Sequence, residues 1–165
     1  MEYCFVYSSP LGPLTVTGRD ADITGLYLRP PTEAEALLAT DWPGADAVKD
    51  WLDRYFANKV PDPRELRLRA EGSPFREVIW ELLLAIPLGE VRTYGDLARD
   101  AARILGKEKM SAQAVGGAVG SNPISIIIPC HRCVAAGGKL GGFGWGEEAK
   151  KWLLQHEGYV SDPGA

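Results

Sequence analysis

The feature of this sequence that most constrains its fold is a change of hydrophobic periodicity at Gly72-Ser73-Pro74. Before this point, short segments rich in β-branched and aromatic residues are separated by turns, as in strands. After it, apolar residues recur at spacings of three and four, as on one face of a helix. Ser73 can cap the helix that follows, and Pro74 suits its first position. We therefore predict two domains, residues 1–72 and residues 73–165.

The first domain is predicted to combine strands with two helices. Segments of strand-like composition or alternation lie at residues 3–6, 14–17, 23–28 and 66–70. The pattern becomes helical from Thr32, and residues 45–56 carry apolar side chains at helical spacing. We expect a small α/β unit with a structural role.

The second domain is predicted to be mostly helical. An apolar stripe marks a helix within residues 75–86. Thr93 begins a second helix, with Asp96 at the capping-box position, and Ser111 begins a third. The second and third helices are separated by a turn and resemble a helix-turn-helix. A last helix is expected over residues 147–157.

The third helix holds three glycines, each of which costs about 1 kcal/mol relative to alanine. Something must therefore approach this backbone closely, either a neighbouring helix or the groove of a nucleic acid, and both interpretations stay open. No Arg or Lys lies between Ser111 and Asn122. The helix cannot read guanine by the usual bidentate contacts, so any DNA binding would have little sequence preference.

Composition and charge narrow the class of protein. The 165 residues are 45% hydrophobic and 24% charged, and no apolar run approaches the roughly 18 residues that span a bilayer. The odd number of cysteines, 3, argues against a disulfide framework, so we expect a cytoplasmic protein that does not contact membranes. The net charge is −4, but residues 92–139 hold seven basic side chains against three acidic ones. This local excess fits either phosphate binding or a solvated face.

A cysteine near residue 130 carries the clearest chemical signal. A strand-like run, residues 126–128, ends at a proline, and Cys130 follows at once. Residues 137–146 then contribute six glycines in ten positions, interrupted by Phe143 and Trp145. A cysteine at the end of a rigid strand is held in place, while a glycine-rich loop lets a flat ligand approach its backbone. The two aromatic side chains are candidate pocket walls.

Cys130 and Cys133 form a C-x-x-C pair that has several interpretations. A redox pair should open a helix, which the residues after Cys133 cannot sustain, and a structural zinc site wants about four ligands. The remaining cysteine, Cys4, has no partner histidine in the first domain, so we expect no metal. An isolated cysteine is most often a small buried hydrophobe, but a histidine and an arginine follow Cys130 directly, which favours a nucleophile.

A nucleophilic cysteine needs a base, because an ordinary thiol is only a few per cent thiolate at pH 7. The sequence offers His131 and His156. Neighbouring side chains on an extended segment point apart, so His131 is expected to reach Cys130 through a water. Glu157 is the candidate to orient the imidazole, although a helix-end carboxylate and a surface histidine are the alternative interpretations.

Ile128-Pro129-Cys130-His131-Arg132 resembles the active-site signature of the O6-alkylguanine-DNA alkyltransferases, also called methylated-DNA–protein-cysteine methyltransferases. The likeness covers nearly all of residues 73–158, whereas the first domain is family-like only through Ser9-Pro10-Leu11-Gly12. The resemblance implies an α/β + α fold: a small ribonuclease-H-like α/β domain, then a mostly helical, winged-helix-like domain with a helix-turn-helix. The other matching motifs are Gly89-Glu90-Val91-Arg92-Thr93-Tyr94, Ala114-Val115-Gly116-Gly117-Ala118, Asn122-Pro123 and Trp152-Leu153-Leu154-Gln155-His156-Glu157-Gly158.

The activity that this resemblance implies is DNA repair by direct, irreversible, single-turnover transfer of the alkyl group of O6-alkylguanine to Cys130. O4-alkylthymine is a second candidate substrate. His131 is the implied base, acting through a water, and Glu157 orients it. Tyr94 protonates or hydrogen-bonds the guanine as its oxygen leaves, and Asn122 braces the active-site turn.

The resemblance also implies a double-stranded DNA partner, bound from the minor groove by a monomer that flips the damaged base, with no cofactor. The implied DNA-contacting residues are Thr93, Tyr94, Ala112, Gln113, Ala114, Gly116 and Arg132. The implied substrate pocket is formed by Cys133, Phe143, Gly144 and Trp145.

Several residues depart from the family pattern. Gln113 stands where many members have an arginine, which predicts weaker DNA binding. Cys133 replaces a usual valine and could form a disulfide with Cys130 on oxidation. Phe143 replaces a tyrosine, and Trp145 replaces a common glycine and would narrow the pocket. Two other functions are weighed: a damage-recognition protein without transfer, whose known examples lack the cysteine, and a cysteine hydrolase.

Overall fold

The structure, a computed structural model, describes residues 1–159, with Gly138 as backbone only. The predicted end of the second domain, at residue 165, lies outside the described residues. The chain folds into two compact units. The first unit is Met1–Ala70 with Pro123–Ser125, and the second comprises Glu71–Asn122 and the chain from Ile126 onward. A single boundary at residue 72 therefore does not describe the short return of the chain to the first unit.

The first unit is built on an antiparallel sheet of three strands in the order β1-β2-β3. These strands are β1 (Glu2–Ser9), β2 (Gly12–Arg19) and β3 (Asp22–Tyr27). Val16 of the central strand is fully buried and pairs with Phe5 on one side and Leu26 on the other. The three predicted N-terminal strands are confirmed, because each has the β-branched composition of a buried pleated surface.

Two helices accompany this sheet. Helix α1 (Glu33–Ala36) is a single turn that Thr32 caps, and α2 (Ala45–Phe56) matches the predicted 45–56 helix. The inner face of α2 is fully enclosed and carries Val48, Trp51, Leu52 and Tyr55.

The predicted strand at residues 66–70 is wrong: this segment makes only one isolated bridge, between Leu68 and Ile23. Arg67 and Arg69 exchange backbone hydrogen bonds with Ile23 alone. Their side chains both pair with Asp22, at 2.8 and 2.9 Å. The alternation of charged and apolar residues thus reflects two ion pairs at the sheet edge and does not continue as a ladder.

Up to residue 159, the second unit contains four α-helices: α3 (Pro74–Leu84), α4 (Tyr94–Leu105), α5 (Ala112–Gly120) and α6 (Glu147–His156). The hydroxyls of Ser73, Thr93 and Ser111 cap the first three, each accepting from a backbone N–H three residues later. The predicted helix starts are confirmed, because such a cap satisfies a backbone donor that the helix leaves unpaired. Within the described residues, no helix is both long and apolar enough to cross a membrane.

Helices α3, α4 and α5 pack against one another. Trp80 and Leu83 of α3 are buried, and burial of each stabilises the unit by about 1.5–3 kcal/mol. The Trp80 indole N–H donates to the carbonyl of Ala118 in α5 at 3.0 Å. A two-stranded parallel sheet, β4 (Arg92–Thr93) and β5 (Cys133–Val134), joins the start of α4 to the chain that follows Cys130. The observed architecture, a small sheet domain followed by a helical domain, is the predicted fold class.

Candidate active site

The segment that leads to Cys130 is a buried turn, and the prediction of a strand at residues 126–128 is wrong. Ile126 has a φ of 70°, in the left-handed region that β-branched residues rarely adopt. The carbonyl of Ile128 accepts from the Asn122 side-chain amide at 2.8 Å and from the backbone N–H of Cys130 at 2.8 Å. These hydrogen bonds close the turn, so the apolar run is buried without a neighbouring strand.

Cys130 lies at the start of a short 3₁₀ helix, Cys130–Arg132, that runs directly into β5. The backbone N–H of Arg132 donates to Pro129, and that of Cys133 donates to Cys130. The expectation of an extended segment at this point is therefore wrong. Cys130 is 6% exposed, and neither it nor Cys133 is in a disulfide. Burial raises the pKa of the Cys133 thiol to about 12, which disfavours a redox pair.

His131 and Glu157 form a completely enclosed pair. The imidazole Nε2 lies 2.6 Å from Oε2 of Glu157, and both side chains have 0% exposure. The imidazole Nδ1 is buried and has no hydrogen-bond partner among the described residues. A neutral imidazole that donates its Nε2–H to the carboxylate would keep the Nδ1 lone pair available to accept a proton.

Arg132 is the third member of this buried cluster, and its guanidinium supplies a positive charge beside Glu157. Its Nε donates to Oε1 of Glu157 at 2.7 Å, and its Nη1 donates to the carbonyl of Ile86 at 2.7 Å. Burial raises the pKa of Glu157, but the charges and hydrogen bonds of His131 and Arg132 outweigh burial and bring that pKa to about 2. Burial lowers the pKa of His131 below its ordinary value. Since Arg132 already balances Glu157, the imidazole can stay neutral.

Arg132 was predicted to contact DNA, but it is 7% exposed, and its guanidinium donates to Glu157 and to the main chain inside the unit. In this structure its hydrogen bonds are therefore directed into the protein. The sequence could not reveal this, because the partner carboxylate is 25 residues away in the chain.

Glu157 lies at an unfavourable end of its helix, and its main chain is closely packed. Glu157 is the C-cap of α6, where the helix dipole disfavours a negative charge. Gly89, with a φ of 88°, passes so close that an added Cβ would lie 3.3 Å from the Glu157 carbonyl. The ion pair with Arg132 offsets the unfavourable helix end. Glu157 is therefore a positioned carboxylate and not an ordinary surface residue.

Tyr94, the first residue of α4, lies beside the glycine-rich loop. Its hydroxyl donates to the Gly142 carbonyl at 3.5 Å, and burial, together with the Cys133 and Cys130 thiols, raises its pKa. Gly141 has a φ of 75°, and a Cβ there would lie 3.2 Å from the Tyr94 hydroxyl. Glycine is required at this position both by its backbone conformation and by its contact with the tyrosine.

The aromatic residues of the loop reach back to the histidine. Phe143 makes an edge contact with His131, with ring centroids 6.5 Å apart, and Trp145 packs against Phe143 at 5.7 Å. Gly144, between them, is exposed. Cys133 has 0% exposure, its N–H donates to the Cys130 carbonyl, and its own carbonyl accepts from Lys150, so the residue is enclosed in this structure. The structure thus places Phe143 next to the imidazole, with Trp145 packed behind Phe143.

Lys150 is a residue that the sequence analysis missed. It is fully buried on the inner face of α6, and its Nζ donates to the carbonyls of Cys133 at 2.7 Å and Gly142 at 3.1 Å. The available signal was a lysine at helical spacing from Leu153 and Leu154, which are both buried. A charged residue on an otherwise apolar face marks a site that needs it.

The start of α5 is open to solvent. Ala112, Gln113 and Ala114 are exposed, and Thr93 and Gly116 are partly exposed. A Cβ added at Gly117 or Gly120 would meet no described heavy atom within 4 Å, and one at Gly116 would meet only Tyr94, at 3.9 Å. The interpretation that the glycines admit a neighbouring helix is therefore not supported.

A groove of about 450 Å³ lies between α4 and the start of α5. Its lining includes Arg99, Arg103, Lys107 and Lys109. The two arginines pair with Asp96 and Asp100 of their own helix, so part of the local positive charge is neutralised internally. The two lysines lie in the turn between the helices and are exposed. Among residues 1–159, no group of His, Cys, Asp or Glu side chains is arranged to hold a metal ion.

Comparison with known proteins points to one family. The family model of the 6-O-methylguanine DNA methyltransferase DNA-binding domain matches residues 74–159, and that of the ribonuclease-like domain matches residues 3–70. A methylated-DNA–protein-cysteine methyltransferase of Mycobacterium tuberculosis is 40% identical over 151 residues, covering 90% of this chain and 88% of the relative. One from Salmonella typhimurium is 42% identical over 126 residues, covering 76% of this chain and 69% of the relative.

Solved structures agree as well. The crystal structure of Mycobacterium tuberculosis OGT in complex with DNA superposes with a TM-score of 0.80 at 37% identity, covering 94% of this chain and 92% of that one. The two family models together span almost the whole described chain. The chain therefore belongs to the 6-O-methylguanine DNA methyltransferase family.

Proposed function

We propose that this chain repairs DNA by direct damage reversal, transferring the alkyl group of O6-alkylguanine to the sulfur of Cys130. Membership of the family supports the reaction class. The observation that carries the assignment to Cys130 is the adjacent His131, whose Nε2 is held by Glu157 while its buried Nδ1 has no partner in the described chain. O4-alkylthymine, which also carries an alkylated exocyclic oxygen, is a second candidate substrate.

The first step is activation of the thiol. A water between Cys130 and His131 Nδ1 would carry the proton to the imidazole, which is neutral because burial lowers its pKa. The imidazolium that forms is stabilised by Glu157, whose pKa of about 2 keeps it ionised throughout the working range. Asn122 holds the turn by donating to the Ile128 carbonyl, which fixes the direction of the sulfur.

In the second step, a carbon–sulfur bond forms at the alkyl carbon while its bond to the guanine oxygen breaks. The departing guanine takes a proton or a hydrogen bond from Tyr94, whose raised pKa keeps the hydroxyl protonated. The thiol proton, held on His131, can later restore Tyr94 through solvent. The product is a thioether, which has no labile leaving group. One cysteine therefore serves once.

For DNA binding, we propose that α5 enters the minor groove. Its exposed first turn offers Ala112, Gln113 and Ala114, and Gly117 leaves the helix thin on its open side. A minor groove about 6 Å wide needs a thin element, and the absence of Arg and Lys from α5 fits repair at arbitrary sequence. The remaining contacts with DNA would come from three partly exposed residues, Thr93, Tyr94 and Gly116.

The target base is proposed to leave the duplex and enter the space beside the glycine-rich loop. Extrusion costs a few kcal/mol, and less when the pairing is already damaged. Phe143 and Trp145 would form the walls, since Phe143 contacts His131 and Trp145 packs against Phe143. Gly144, which is exposed and has no side chain, would contact the flat base, while Cys133 would support the pocket from behind. Gln113 would occupy the gap left in the duplex.

We further propose that the chain acts as a monomer in the cytoplasm. All three cysteines are free thiols in the described chain, as expected for a reducing compartment. Sedimentation of the protein with and without an excess of a short duplex tests the monomer directly. A dimer in both samples would contradict it.

Intact-mass spectrometry after incubation with O6-methylguanine DNA tests the proposed function. We expect every protein molecule to gain the mass of one methylene unit and no more, and the gain to persist when excess DNA is added. Cys130→Ala is expected to gain nothing. A protein that removes the methyl group without gaining mass would be a hydrolase, and one that binds the lesion without removing it would be a recognition protein; either result contradicts the proposal.

A further inference from the structure

Lys150 is buried without a carboxylate partner. Its side chain has 0% exposure, and the described residues place no Asp or Glu in ion-pair contact with it. Burial lowers its pKa, while the thiols of Cys133 and Cys130 act in the opposite direction. A desolvated ammonium is costly, and a methionine or leucine of similar volume would fill the same space at less cost. Lys150 is therefore expected to have a function that requires its positive charge.

The two hydrogen bonds of Lys150 connect two segments of the site. The Cys133 carbonyl belongs to β5, three residues after the nucleophile, and the Gly142 carbonyl belongs to the glycine-rich loop just before Phe143. The Tyr94 hydroxyl donates to the same Gly142 carbonyl. One ammonium thus connects β5, which follows the 3₁₀ helix of Cys130, to the loop at the residue that Tyr94 contacts.

In the described part of the chain, the loop has few other hydrogen bonds. Its backbone hydrogen bonds outside helices and strands join Ala135 to Lys139, Gly146 to Phe143 and Lys150 to Gly146. Its glycines lose more conformational entropy on ordering than any other residue type would. An ammonium that donates to two carbonyls is a stronger tie than a neutral hydrogen bond, because charge-assisted bonds are about twice as strong.

We propose that Lys150 is a positioning residue for alkyl transfer: its ammonium holds the Gly142 carbonyl to the Cys133 carbonyl and so fixes the loop, with Phe143, against Tyr94 and the nucleophile. The effect of Lys150 on the rate of alkyl transfer rests on the proposed function, whereas its effect on the order of the loop does not.

The test compares Lys150→Met with the matched control Lys151→Met, an exposed lysine on the same helix. Hydrogen exchange measured by mass spectrometry reports the order of residues 139–146, with the α3 and α4 peptides as an internal reference. Single-turnover methyl transfer at increasing DNA concentration separates the limiting rate from the DNA affinity. Lys150→Arg, which keeps a cation with several donors, tests rescue.

We expect Lys150→Met to speed exchange in residues 139–146 only, and to lower the limiting rate about 10- to 100-fold with DNA affinity unchanged, because small misplacement of a reacting group has effects of this size. Lys150→Arg should recover part of both, and Lys151→Met should match the native protein.

Native exchange in the loop of Lys150→Met would overturn the proposal. If Lys150→Met does not fold, Lys150→Gln, which can still donate to one carbonyl, is judged by the same criteria. A protein that transfers no alkyl group at all would contradict the proposed function and leave the exchange arm to decide the role of Lys150.

Discussion

The imidazole of His131 and the carboxylate of Glu157 lie 2.6 Å apart with no exposed surface, although 26 residues separate them in the chain. Arg132 donates to the second oxygen of the same carboxylate. The charges of Arg132 and Glu157 balance each other, so the histidine between the nucleophile and the carboxylate can be a neutral base. The chemistry proposed for Cys130 follows from this arrangement.

Glu157→Gln is predicted to slow methyl transfer about 100-fold, a usual loss when a positioned base is disturbed. The amide cannot stabilise the imidazolium and leaves Arg132 without its counter-charge. The measurement is the single-turnover rate constant at saturating DNA. Glu148→Gln, an exposed position on the same helix, serves as control and should keep the native rate. A native rate in Glu157→Gln would remove the carboxylate from the mechanism.

Stability at acid pH should depend on Glu157. Its pKa falls from the ordinary 4.5 to about 2 in the folded chain, so the unfolded state binds the proton more readily. The stabilisation is therefore complete above about pH 5 and is lost as the pH falls towards 2, and it amounts to roughly 3 kcal/mol. Denaturant unfolding at a series of pH values measures it. Glu157→Gln should show a shallower loss over this window than Glu148→Gln, and identical pH profiles would contradict the prediction.

Gln113→Arg is predicted to strengthen DNA binding. The exposed glutamine on the first turn of α5 carries no charge, and an arginine there would release about one further counterion. The logarithm of the association constant should then fall more steeply with the logarithm of salt concentration, by about one unit of slope. Gln155→Arg adds the same charge on α6 and should leave the slope near the native value. An unchanged slope in Gln113→Arg would place that residue outside the DNA contact.

Trp145 is predicted to limit the size of the alkyl group. It packs on Phe143, which in turn contacts His131, so the wall is close to the reacting centre. O6-benzylguanine DNA should inactivate the protein more slowly than O6-methylguanine DNA, and Trp145→Gly should reduce the difference. Rates of inactivation with the two substrates provide the measurement. Equal rates in the native protein would rule the prediction out.

Local signals in the sequence predicted much of the fold. Thr93 with Asp96, and Ser73 with Pro74, mark helix starts because a cap depends on residues no more than three positions apart. The isoleucine run was misjudged as a strand, since β-branched composition favours one, whereas the turn at Ile126 depends on the Asn122 amide bonding a carbonyl six residues later.

The site was predicted less completely than the helices. Cys130 and His131, which are adjacent in the sequence, were predicted there as nucleophile and base, and these roles stay proposals. The burial of Arg132 and the hydrogen bonds of Lys150 depend on partners elsewhere in the chain, a carboxylate 25 residues from Arg132 and the Cys133 carbonyl 17 residues from Lys150. Spacing cannot reveal such contacts, because they form only when α6 packs against the turn.

The most direct test of the central claim is to locate the transferred group. The protein is incubated with an equal amount of O6-methylguanine DNA, digested, and its peptides are sequenced by mass spectrometry. The account predicts one methyl group on the sulfur of Cys130 in every molecule, with Cys133→Ser as a control that is methylated at the same residue. A methyl group on Cys133, on His131 or on no residue while the DNA is repaired would contradict it.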